Sequence, residues 1–211
     1  MSPLYTTSEF LSKAPLTLFM APNLREFERD GKILLHEIVG KVPLETLLQL
    51  VSWVEGDFPR AAIRQYSMWC ASFARPIIED RTLKQLLDVA QNYSDGLAGE
   101  SELQAANEEA RNRRKIAKSA FEMNSARVVA EATMPWALPS LKYAFSLELL
   151  CNAVDALQAA YGPHGQFKHF KKVQPLVLER TLKEGQHTAR SFGFGLDLTQ
   201  AETSLEKFYY A

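Results

Sequence analysis

The sequence predicts an all-α fold, an antiparallel helical bundle or array of about six to eight helices with short loops. Three observations predict it. Apolar residues recur at three- and four-residue spacing in one segment after another. Between residues 43 and 162, prolines and glycines fall at the ends of these segments. Strand-type alternation of apolar and polar residues is nearly absent.

Taken in order, residues 1–42 read as an irregular entry with one helix near Lys32–Val39, interrupted upstream by Asp30-Gly31. Pro43 fits a first helical turn, where its missing N–H costs nothing. Leu44, Leu47, Leu48, Val51 and Val54 then form one apolar stripe, and Gly56 ends it. Asp57 and Pro59 open the next helix, which holds Ala62, Ile63, Tyr66, Trp69, Cys70 and Phe73 on one face. Pro76 stops it, because a proline ring clashes with the preceding turn. Asp80 is the expected N-cap of a third helix, with Leu83, Leu86, Leu87, Ala90 and Tyr93 inward and Gly96 as its left-handed terminator.

Ser101 and Gln104 have capping-box spacing, and Glu100 and Glu102 complement the helix dipole. The helix they open is predicted to run to about Glu131, with Leu103, Ala106, Ala110, Ala117, Phe121 and Val128 inward. Met134-Pro135 and Leu138-Pro139 break the pattern, and Ser140 begins another helix through Tyr161. Leu141, Ala144, Phe145, Cys151, Val154 and Leu157 supply its core face, and Gly162-Pro163 terminates it. Residues 1–162 thus read as a helical domain, and 163–211 as a basic, less regular C-terminal extension packing on it. Residues 163–190 carry six basic groups against two acidic, a net of +4, whereas residues 1–104 carry ten against fourteen, a net of −4.

Composition limits the function classes. With 211 residues, 46% hydrophobic and 23% charged, the chain resembles an ordinary soluble globular protein that buries a core without staples. A formal net charge of −1 gives no global attraction to nucleic acid or anionic membrane, and neither is expected as a partner. No apolar run approaches the roughly 20 residues that span a bilayer. The apolar run near the N-terminus, LTLFMAP, is short and lies between Pro15 and Pro22, unlike a secretory signal. Cys70 and Cys151 sit within apolar helical patterns and read as buried thiols, which suits the reducing cytoplasm.

Several segments admit a sharper reading beside a plain one. His164 and His169 flank a glycine without Asp, Glu or Cys at ligand spacing, so no metal site is predicted. Gln166–Lys172 mixes basic and aromatic residues as single-strand nucleic-acid grooves do, but Phe167 and Phe170 also form the i, i+3 pair of a helix docking on a core. Arg111, Arg113, Arg114, Lys115 and Lys118 read as a solvated face with Glu108 and Glu109 as counter-charges. Trp53 and Trp69 sit beside apolar stripes as core anchors. A Gly-rich phosphate loop, GxSxG, HExxH and paired CxxC are all missing, so no catalytic residue and no cofactor is assigned.

The stretch Asp57–Arg114 carries one further signal. Trp69-Cys70-Ala71, Asp80-Arg81, Val89-Ala90 with Tyr93 and Gly96, and Glu102-Leu103 resemble the helical immunity proteins of bacterial polymorphic-toxin systems. The resemblance covers about residues 60–114; RNRRK then stands where that group has an alanine-rich run, and residues 164–211 lie outside it. It implies a non-catalytic binding module that neutralises a cognate protein toxin by direct contact. Acidic surfaces on such scaffolds steer basic partners, and Glu55, Asp57, Glu79, Asp80, Asp95 and Glu100 are the expected contact residues. Two other classes stay open: a helical adaptor or regulatory subunit with no toxin partner, and a small enzyme with a carboxylate or histidine site assembled in space.

Overall fold

The computed structural model describes residues 5–7, 24–51, 60–135, 141–162 and 166–184. Trp53, Val54, Glu55, Gly56, Asp57, Pro59, Leu138, Pro139, Pro163, His164 and residues 185–211 lie outside them. Seven α-helices occur among the described residues, all-α as expected: α1 (Leu44–Val51), α2 (Arg60–Ala74), α3 (Arg81–Ser94), α4 (Glu100–Ile116), α5 (Ala120–Ala132), α6 (Leu141–Tyr161) and α7 (Gln166–Glu184). Two two-residue strands, β1 (Tyr5–Thr6) and β2 (Ile33–Leu34), pair antiparallel with Tyr5 opposite Leu34.

The helix expected near Lys32–Val39 is replaced by β2 and a single 3-10 turn, Leu35–Ile38. Ile33, Leu35 and Ile38 are buried. Their local spacing imitates a helical stripe, but β2 finds its backbone partner in β1, far upstream in the chain.

α2 is the centre of the array, packed against α3, α5, α6 and α7. It is not amphipathic in the expected sense. Every residue from Ile63 to Ala71 is buried, including Arg64, Gln65 and Ser67. A helix surrounded on all sides has no solvent face to keep polar, so these polar side chains must find partners inside. Ser67 Oγ donates to the Arg64 carbonyl at 2.8 Å, and the Arg64 guanidinium spans to the end of α5.

The single helix predicted from Ser101 to about Glu131 is two helices. Ala117 turns extended (φ −57°, ψ 133°) and ends α4; Ser119 caps α5 by accepting from the Glu122 N–H at 3.1 Å. Glu122 reaches back to accept from the Lys118 N–H at 2.7 Å. The capping box of α4 also lies elsewhere: Gly99 is the N-cap, and its N–H donates to Glu102 at 2.8 Å. Ser101 is an exposed residue of the first turn. The third helix keeps its predicted ends, with Asp80 as N-cap and Gly96 at φ +75° in a closing turn where the Leu97 N–H donates to the Asn92 carbonyl at 2.7 Å.

Residues 166–184, expected to be less regular, form the 19-residue α7. Phe170, Val173, Val177, Leu178 and Leu182 are buried in the common core. Phe170 lies 4.8 Å from Phe73 and 5.8 Å from Trp69, ring centroid to centroid. At the end of α6, the Gln158 Nε2 donates to the Phe73 carbonyl. Gly162 closes that end, since a Cβ there would stand 2.5 Å from the Gln158 carbonyl oxygen.

Cross-helix contacts fix the topology. Asp80 meets Arg113, Phe121 meets Tyr161, and Phe73 meets both Gln158 and Phe170. One end of the array therefore gathers the C-termini of α2, α4 and α6 with the N-termini of α3, α5 and α7.

Candidate functional site

At that end, α3, α4 and α5 enclose a solvent-open groove of about 460 Å³. It exists because α4 stops at Ile116 and α5 restarts at Ala120, so the connection leaves the α3 N-terminus uncovered. Leu83 and Ala126 line its apolar side together with Phe121. Ile116 stands at its edge with 74% of its surface exposed. Phe121 meets the half-exposed Tyr161 of α6 edge to face at 4.8 Å, which extends the apolar surface beyond the groove.

The polar side is an ordered charge cluster. Asp80 Oδ1 accepts from the Thr82 and Leu83 N–H groups at 2.7 and 3.2 Å, and its other oxygen accepts from the Arg113 guanidinium. Arg113 also donates to Glu109 at 2.8 Å across one turn of α4. Burial acts to raise the Asp80 pKa, but the Leu83 and Thr82 N–H bonds and Arg113 outweigh it and hold the carboxyl below its ordinary value. The Arg113 guanidinium is held more firmly protonated, chiefly by Glu109 and then by Asp80. Glu79 is an exposed carboxylate on the same lip, and Lys118 and Glu122 occupy the other.

A carboxylate favoured in the folded state stabilises above its unfolded pKa of about 3.9, and that contribution is lost as pH falls through the folded value. Asp80→Ala is expected to cost about 1–2 kcal/mol at pH 7, from a lost N-cap and a partly exposed ion pair. Urea denaturation of the variant and the parent should converge as the pH is lowered below about 4. An unchanged difference at low pH would show that the ionised carboxylate is not what stabilises α3.

The four expected contact residues that are described fall into two separate pairs. Glu79 and Asp80 lie at the groove. Asp95 follows α3 at its C-terminus, where it accepts from Gln91 Nε2 at 2.9 Å, and Glu100 opens α4 beside it. α3 is 14 residues long, which separates the two pairs by roughly 20 Å. Glu55 and Asp57 lie outside the described residues. Of the basic run, Arg113 serves Asp80 and Glu109, and Arg114 lies 3.4 Å from the buried Glu131, which also accepts from Ser146 at 2.8 Å.

The groove residues that the sequence reading passed over are Ile116, Glu122, Ser125 and Ala126. Ser119 and Glu122 have capping-box spacing. That pair was the available sign of a helix start, and of a surface opening, inside the run read as continuous.

Elsewhere, Tyr66, Cys70, Cys151 and Gln174 meet in the core between α2, α6 and α7. Both cysteines are free thiols and buried, as expected. Burial, reinforced by Cys151, pushes the Cys70 thiol well above its ordinary value, which makes it a packing group and a poor nucleophile. Among the described residues, no group of three or more His, Cys, Asp or Glu is placed to hold a metal ion. No helix among them is long and apolar enough to cross a membrane.

Fold and site together define an all-α helical array with an amphipathic groove at one end. No family model, curated protein or solved structure matches the chain.

Proposed function

We propose that this chain is a non-catalytic protein-binding module, an immunity protein that neutralises a cognate bacterial toxin in the cytoplasm by direct contact through the α3–α4–α5 groove. The observation that supports the reading most is the groove's composition. The exposed Ile116 and the partly buried Phe121 stand beside the charged Glu79–Asp80–Arg113 lip on a helical frame. Apolar centres with polar rims are how specific interfaces concentrate their energy. A specific interface covers about 800 Å² of each partner, so the groove would be the centre of a larger contact.

Co-expression with toxin domains encoded by neighbouring genes tests the proposal. Growth should be rescued by one of them, and the pair should co-purify as a stable complex. Failure to rescue growth or to form a complex with any candidate would reject the immunity role. Recovery of a non-toxic partner alone would instead favour a helical adaptor using the same groove.

A further inference from the structure

We infer that the α3–α4–α5 groove takes a partner segment presenting a bulky apolar side chain next to a lysine or arginine. This deepens the binding reading above and rests on it. Three separate features carry the inference.

The first is the apolar side. Leu83, Phe121 and Ala126 form a surface into which one large side chain fits, and Ile116 stands 74% exposed at its edge. An isoleucine so placed closes over an inserted apolar group and loses its contact with water.

The second is Ser125 of α5. Its side chain lines the groove but is only 2% exposed, and its hydroxyl has no hydrogen-bond partner. A buried hydroxyl without a partner is unfavourable. The oxygen itself is almost fully covered, so a backbone carbonyl or N–H of an inserted segment would satisfy it after a small local shift of α5, and a purely apolar occupant would not.

The third is charge. On the α3–α4 lip three carboxylates, Glu79, Asp80 and Glu109, surround one cation, Arg113. Arg113 is already shared between Asp80 and Glu109, which leaves Glu79 exposed at the rim. A basic residue beside the inserted side chain would pair with Glu79, whereas an acidic one would meet three like charges. On the opposite lip Lys118 and Glu122 offset one another in charge, so the acidic surplus lies on the α3–α4 side.

The test uses the full chain and two short dye-labelled peptides with the same central phenylalanine, flanked in one by lysines and in the other by glutamates. Fluorescence anisotropy should show saturable binding of the lysine peptide and affinity about tenfold weaker for the glutamate peptide. Glu79→Lys and Ile116→Asp change exposed residues, so helicity and thermal midpoint should be retained. Each should weaken the lysine peptide by about tenfold. No saturable binding, equal binding of the two peptides, or binding unaffected by both variants would overturn the inference. The same variants separate it from the immunity proposal. Toxin rescue that survives both would leave immunity standing and remove the groove from it, and groove binding of the lysine peptide without any toxin rescue would do the reverse.

Discussion

Trp69→Ala is expected to be among the most destabilising single substitutions in the described core, at about 3–5 kcal/mol. Trp69 lies on α2 where that helix meets α7, with its ring 4.9 Å from Phe73, 5.8 Å from Phe170 and 6.1 Å from Tyr66. Removing it deletes the middle of an aromatic cluster that joins two helices distant in sequence, and leaves a cavity that rigid neighbouring helices cannot close. Domains are stable by only about 5–15 kcal/mol, so the loss would be a large share of the total. For a chain of this size the thermal midpoint should fall by roughly 10 °C. Trp69→Phe retains a ring between Phe73 and Phe170 and should lose about half as much. Urea and thermal unfolding followed by circular dichroism would decide the matter. A Trp69→Ala variant within about 1 kcal/mol of the parent would mean that α7 does not rely on this contact.

That cluster also shows which parts of the molecule were legible in the sequence. The positions of Trp69, Cys70 and Phe73 on a helix followed from spacing, and so did their burial. The burial of Arg64 and Ser67 on the same helix did not, because the spacing marks one apolar face and is silent on the others. Whether a helix is surrounded depends on how many others pack around it, which no local period records. α7 was obscured for a different reason. Its basic residues, and a grouping of 163–211 as one extension, masked a stripe running through Phe170, Val173, Val177 and Leu182 at helical spacing.

The groove was half legible. Asp80 could be recognised as a cap from its place before an apolar stripe, but its ion-pair partner Arg113 is 33 residues away. Only folding brings the α3 N-terminus against the α4 C-terminus. The resemblance to immunity proteins rests on positions that chiefly build the frame. Leu103 packs, Asp80 and Gly96 set helix ends, and Trp69 and Cys70 fill the centre. Of these positions Asp80 alone lies at the groove. Of the side chains that would choose a partner, Glu79 lies within the stretch that the resemblance covers, and Ile116, Lys118 and Ser125 lie beyond it.

Arg64→Ala should be nearly as damaging as the tryptophan change, at about 2–4 kcal/mol, for reasons of polarity. Arg64 is 6% exposed; its guanidinium donates to the carbonyls of Ala132 at 3.3 Å and Met134 at 2.9 Å, and lies 5.0 Å from the Tyr93 ring centroid. The last carbonyls of α5 lack donors from within the helix. Thr133 donates to the Val129 carbonyl and the Met134 N–H to that of Glu131. Asn107 of α4 donates to the Ala130 carbonyl and, at 3.2 Å, to the Thr133 hydroxyl, and Arg64 of α2 supplies Ala132. Removing the guanidinium leaves two carbonyls short of a donor and removes a cation from the face of Tyr93. Arg64→Lys should recover only part of the loss, because a single ammonium cannot reproduce a planar fork that spans two carbonyls. Urea denaturation of the three proteins would measure both effects. This cluster holds the end of the array opposite the groove, since it joins the start of α2 to the ends of α3 and α5. Folded Arg64→Ala should therefore bind the lysine peptide with the affinity of the parent. A variant of undiminished stability would refute the capping role, and one that stays folded but loses peptide binding would show that the two ends are coupled through α5.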